Sequence, residues 1–270
     1  MALPIVATPA PAGDELYVVA LEGAADTTRT FGLYRYSITQ GGPAVSLYAG
    51  DALVYPTGIA TGTLGQSIYV ADSAHEGLPP SEVGGIWVFP VTGGDPSLLL
   101  GGRIRGLTVK DENATDVIYF TRMDGDGAPR VSRITSQGSN LQDLWVGAPL
   151  VDPSGIALTA EGEVYVADTF NDGATRTTSV FHITNGVATP LPLSFRTGTP
   201  CGVALSVLEE VLYVSALDAS GQSAVRAVDL LQLTTVEFAT SGNEPAGLQR
   251  AHDLNVFSWV DLGGNIMVLQ

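Results

Sequence analysis

Two aspartates close apolar runs of the same form, Ile68-Tyr69-Val70-Ala71-Asp72 and Val164-Tyr165-Val166-Ala167-Asp168, and Arg122 takes the equivalent place in Ile118-Tyr119-Phe120-Thr121-Arg122. A second recurring position, the residue before a glycine, supplies Thr57, Arg105, Ser154 and Cys201 in Thr57-Gly58, Arg105-Gly106, Ser154-Gly155 and Cys201-Gly202. Carboxylates can hold a cation or move a proton, and a guanidinium can clamp a carboxylate with two parallel hydrogen bonds. If both positions face one opening, Thr57, Asp72, Arg105, Arg122, Ser154, Asp168 and Cys201 form a ligand-binding mouth that is polar over one half. Its arginines would then receive a carboxylate or a similar anion. The competing expectation is that these charges satisfy one another between repeats, since buried charge persists only when paired.

Catalytic signatures are missing from the sequence. It holds no Gly-x-Ser-x-Gly elbow and no phosphate loop, and Cys201 lacks an evident base, so packing is the expected role of that thiol. Asp124-Gly125-Asp126-Gly127 and Asn171-Asp172-Gly173 are oxygen-rich, but they lack the further ligands and terminal glutamate of a calcium loop and read as turns. His75, His182 and His252 have no second histidine at ligand spacing. The expectation is therefore no catalytic residue and no cofactor, with a divalent metal such as calcium as the alternative. Asn113-Ala114-Thr115 fits the glycosylation pattern, which matters only in a eukaryotic secretory pathway.

The elements that must position these residues follow from a repeat. Tyr55-Pro56-Thr57-Gly58-Ile59-Ala60 precedes Ser67-Ile68-Tyr69-Val70-Ala71-Asp72, and Asp152-Pro153-Ser154-Gly155-Ile156-Ala157 precedes Glu163-Val164-Tyr165-Val166-Ala167-Asp168. The aromatic marker returns as Tyr17, Tyr69, Tyr119, Tyr165, Tyr213 and Phe257, at successive intervals of 52, 50, 46, 48 and 44 residues. A strand-rich period of that length predicts an all-β fold, a six-bladed β-propeller of mostly four-stranded antiparallel blades. One domain is expected, with blades over residues 4–50, 54–102, 103–148, 151–196, 198–241 and 244–270. Period-two alternation places the strands of the second blade at 58–62, 67–72, 85–91 and 96–100. The sixth unit has room for three strands, so either residues 4–9 complete it or one blade stays three-stranded. A bare edge there would be a contact site or the seat of a further natural strand. Long connections at 22–31, 73–84, 123–129 and 169–178 share one face, where binding usually resides.

Bulk chemistry narrows the partners. A net charge of −16, from 28 acidic and 12 basic residues, repels phosphate backbones and anionic membrane surfaces. Nucleic acid and membrane insertion are not expected, and no apolar run approaches the roughly 20 residues of a membrane span. Cys201 is the single cysteine, so no intramolecular disulfide forms. Met1-Ala2-Leu3-Pro4 does not resemble a signal peptide; an extracellular or periplasmic, secreted location is the expectation, with any leader outside this chain.

The Pro-x-Gly-Ile-Ala pattern followed by Tyr-Val-Ala-Asp resembles the NHL repeat and the six-bladed propellers of the gluconolactonase-like, senescence-marker-protein-like group. In lactonase-like members this resemblance implies a divalent metal at the channel mouth, held by a Glu of the first blade, Asn residues including that of Pro-Asn-Gly, and a strand-end Asp. Here Thr57, Ser154, Cys201 and Ala246 stand at the Pro-x-Gly position, and Asp72 and Asp168 match the strand-end Asp alone. The expected function is a non-catalytic binding module that holds a peptide, saccharide, small molecule or another protein on the long-loop face. The alternatives are a metal-dependent lactonase or ester hydrolase and an assembly domain of a larger surface protein.

Overall fold

A computed structural model describes residues 3–22, 30–73, 84–171, 176–196, 201–217, 221, 223–239, 245–261 and 263–270. It is all-β, with no helix among the described residues, and its small antiparallel sheets are arranged like the blades of a propeller. The first sheet runs in chain order through β1 (Leu3–Pro9), β2 (Glu15–Glu22), β3 (Thr30–Ser37) and β4 (Val45–Gly50). The second holds β5 (Pro56–Thr61), β6 (Ser67–Asp72), β7 (Gly85–Pro90) and β8 (Ser97–Gly101); the third holds β9 (Arg103–Asp111), β10 (Asp116–Met123), β11 (Pro129–Thr135) and β12 (Gln142–Val146). The run β13 (Pro153–Leu158), β14 (Val164–Asn171), β15 (Arg176–Thr184), β16 (Val187–Arg196) continues into β17 (Val203–Leu205), β18 (Val211–Leu217), β19 (Ser223–Asp229), β20 (Thr235–Ala239) as one eight-stranded sheet. Among the described residues a single pair, Arg196 of β16 with Leu217 of β18, joins its two halves, and β17 pairs with β18 off that path. The last sheet has three strands, β21 (Pro245–Arg250), β22 (Phe257–Asp261) and β23 (Ile266–Leu269).

Leu3–Pro9 thus pairs with β2 rather than completing the last sheet, and β23 is left half-exposed at an edge. The innermost strands β1, β5, β9, β13, β17 and β21 each touch the next, and β21 returns to β1. Between neighbouring sheets lie the apolar cores. Tyr17, Val19 and Leu33 of the first sheet, for instance, pack with Ile59, Val70 and Phe89 of the second.

The repeated glycine is explained by how closely the inner strands approach. A Cβ on Gly58 would stand 3.3 Å from the Gly106 Cα, and one on Gly155 would stand 2.6 Å from the Cys201 carbonyl oxygen. On Gly106 and Gly202 a Cβ would fall on the Ser154 carbonyl and on the Leu248 amide. No residue with a side chain fits there without displacing backbone.

Candidate functional site

The structure draws together some of the residues that the repeat singles out and separates others. Thr57, Ser154 and Cys201 are buried around the axis, where the glycine layer leaves a void of about 20 Å³. The Thr57 hydroxyl donates to the Ile104 carbonyl at 3.0 Å and the Ser154 hydroxyl to the Cys201 carbonyl at 3.1 Å, each reaching the next inner strand. The Cys201 thiol donates to the Ser215 carbonyl at 3.5 Å. These groups clamp one inner strand to its neighbour or to its own sheet.

Asp72 and Asp168 are fully or almost fully buried. Each carboxylate turns back onto the segment entering its own sheet. Asp72 accepts from the backbone amides of Val54 at 2.6 Å and Tyr55 at 3.0 Å; Asp168 accepts from those of Val151 at 3.0 Å and Asp152 at 2.7 Å. Burial pushes the Asp168 carboxyl up, against the two amides that favour its charged form, and the nearby Asp152 charge adds to the rise. Arg105 is linked to this group through Asp152, whose carboxylate lies 2.9 Å from its Nη2. The pair spans the third and fourth units, but its acid is Asp152 rather than Asp72 or Asp168, so the four charges singled out by the repeat do not pair with one another among the described residues. Arg122 lies apart: it runs outward along its sheet to the Ser132 hydroxyl at 3.1 Å and the Asp143 carboxylate at 2.9 Å.

The turn at Asp124-Gly125-Asp126-Gly127 is organised around a guanidinium, with Arg130 Nη2 2.8 Å from Asp124 and 3.9 Å from Asp126. His182 meets Glu163 at 3.0 Å and stacks on Tyr165. Asp172, Gly173, His75 and most of the connections at 22–31 and 73–84 lie outside the described residues. The ligand set implied for a divalent metal does not fit: the strand-end carboxylates are engaged by backbone amides, and the flanking hydroxyls by carbonyls. Among the described residues no three His, Cys, Asp or Glu side chains converge.

Room opens at the other end of the axis, under the turns that follow the inner strands. A cavity of about 480 Å³ there is lined by Lys110, Glu209, Gln249, Arg250 and Asp253 among smaller residues. Its roof toward the glycine layer is Gln249, whose Nε2 donates to the Leu107 carbonyl at 3.3 Å. His252 narrows it further, with Nε2 2.8 Å from the Thr61 carbonyl. Reading by the repeat misses this site, yet the signal is present. Two residues after the inner glycine stand Ala60, Thr108, Ala157 and Ala204, and the last unit breaks the series with Gln249.

No family model and no curated protein matches the chain. Solved structures do. A chain of a nidogen/laminin complex superposes with TM-score 0.66 at 14% identity, over 99% of this chain and 89% of that one. The periplasmic gluconolactonase PpgL of Pseudomonas aeruginosa gives 0.59 at 17% identity, over 97% and 79%. The beta-propeller domain of Myceliophteria thermophila Cps50 (Swd1) gives 0.61 at 12% identity, over 100% and 98%. At these identities the likeness carries the fold alone, and that fold is a β-propeller.

Proposed function

We propose that the chain is a six-bladed propeller of the NHL or gluconolactonase-like kind that works as a non-catalytic binding scaffold, with its long-loop end facing a peptide, saccharide, small molecule or protein partner. Six blades are supported by the six returns of the aromatic marker and by the circle of six touching inner strands. One observation carries the functional reading: Asp72 and Asp168, the carboxylates a hydrolase would need at the mouth, are spent on the backbone amides of their own units. Arg105 and Asp152 remain at that end as a partly exposed ion pair that can exchange partners with a ligand carboxylate or guanidinium.

The test combines thermal melts with a turnover assay. The protein is melted with a chelator and then with millimolar calcium, zinc or manganese, and lactones and esters are offered as substrates. A native-state ligand at about 100 times its dissociation constant adds about 2.7 kcal/mol, or roughly 5–10 °C at this size. The scaffold reading expects neither that shift nor hydrolysis. A metal-dependent shift accompanied by turnover would install the metal-dependent hydrolase instead, and a mass that rises with concentration would favour the assembly domain.

A further inference from the structure

The turn-end cavity holds charges that share a void without meeting. Arg250 spends Nη1 on the carbonyls of its own turn, including Ala251 at 2.7 Å and Leu254 at 3.4 Å. Its Nε and Nη2 have no hydrogen-bond partner among the described residues, and no carboxylate lies within 4.0 Å of it there. Burial lowers its affinity for a proton, while Asp253 and Glu209 act on it through space to raise it. Lys110, the single lysine of the chain, gives its ammonium to the carbonyls of Thr159 and Ala160. Glu209 accepts the Ala160 amide on Oε1 at 2.6 Å and leaves Oε2 open, and the Gln249 side-chain oxygen also lacks a partner among the described residues.

Two cations therefore stand against three carboxylates, those of Asp111, Glu209 and Asp253, around one cavity. A ligand of a single sign would meet repulsion with its attraction. One that carries both signs on a short frame would match each group: a carboxylate on the open edge of the Arg250 guanidinium, and an ammonium among Glu209, Asp253 and the Gln249 oxygen. The rim adds a third feature. Leu64 after β5 and Val207 after β17 line the cavity from two different units and remain 67% and 39% exposed, so each offers apolar surface to an aliphatic side chain. From this geometry we infer that the turn-end cavity is a second binding site, which takes a small zwitterion with an aliphatic side chain, a free α-amino acid of the leucine type.

The site is independent of the long-loop end and stands or falls separately from the scaffold reading. Calorimetric titration of the full chain with L-leucine, 4-methylpentanoate, 3-methylbutylamine and glycine decides it. Leucine is expected to saturate, the two singly charged analogues to bind at least tenfold more weakly, and glycine to lose affinity with its missing side chain. Arg250→Gln should weaken leucine at least tenfold, Arg250→Lys should restore part of the loss, and Arg105→Gln at the opposite end should leave it unchanged. Should Arg250→Gln unfold the protein, the analogue series on the unaltered chain still decides. Saturation by 4-methylpentanoate or by the amine as tight as that by leucine overturns the zwitterion. Failure of leucine to give saturable heat at millimolar concentration leaves a solvent-filled chamber and overturns the site.

Discussion

The side-chain amide of Gln249 donates to the carbonyl of Leu107 across the axis of the ring at 3.3 Å, between positions 142 residues apart. The bond ties the last inner strand to the third and sets a partition between the glycine layer and the turn-end cavity, both of which Gln249 lines. Gln249→Ala removes one hydrogen bond and the partition, so a loss of about 0.5–1.5 kcal/mol is expected in urea unfolding. An unchanged midpoint would mean that the bond contributes nothing net.

The glycine layer gives a sharper contrast. Gly106→Ala drives a methyl onto the Ser154 carbonyl, with backbone rather than a flexible side chain in the way. Overpacking of this kind costs about 1–3 kcal/mol, occasionally more. Gly125→Ala, where nothing lies within 4 Å, should stay within about 0.5 kcal/mol of the parent. Equal effects in parallel urea titrations would sink the explanation given for the repeat.

Ala114 predicts a change of the opposite sign. With Asn113 it forms a hairpin turn in which both residues have positive φ, 58° and 59°, and Glu112 N–H donates to the Thr115 carbonyl at 2.9 Å. Asparagine tolerates that conformation and alanine does not. Ala114→Gly should raise stability by roughly 0.5–1 kcal/mol, read as a higher urea midpoint at unchanged slope.

Two aspartates should pull stability in opposite directions with pH. The Asp168 carboxyl is held above its ordinary value by burial, so its contribution is fully present below about pH 3.9 and is lost as pH rises through the folded value. For Asp143 burial also pushes upward, but hydrogen bonds from Ser132, Arg122 and Arg130 outweigh it and the net shift is downward. Its contribution is therefore present above about pH 3.9 and lost as pH falls through the lower folded value. Unfolding free energies measured across acid and neutral pH should flatten on the neutral side for Asp168→Asn and on the acid side for Asp143→Asn. A parent-like slope in either variant contradicts the assignment for that residue.

Most of the architecture is legible because alternation and turn chemistry are local. Ser67–Asp72 is read from the sequence with both ends correct, and the glycines at 58, 106, 155 and 202 mark the inner strands directly. Side-chain direction is less legible. Counting three residues from the aromatic marker puts Asp72, Arg122 and Asp168 at equivalent positions, yet Arg122 is long enough to run out to Asp143 while the short aspartates fold back onto their own backbone. The turn-end cavity escapes for another reason. A repeat is recognised by what recurs, and Lys110, Gln249 and Arg250 are the places where this one does not.

Gln249 and the glycine layer also give the ring a directional character. Within that layer about 20 Å³ of space remains at the axis, roughly the room of a single water molecule. The entry end of the inner strands and the turn-end cavity therefore lie on opposite sides of a nearly filled layer.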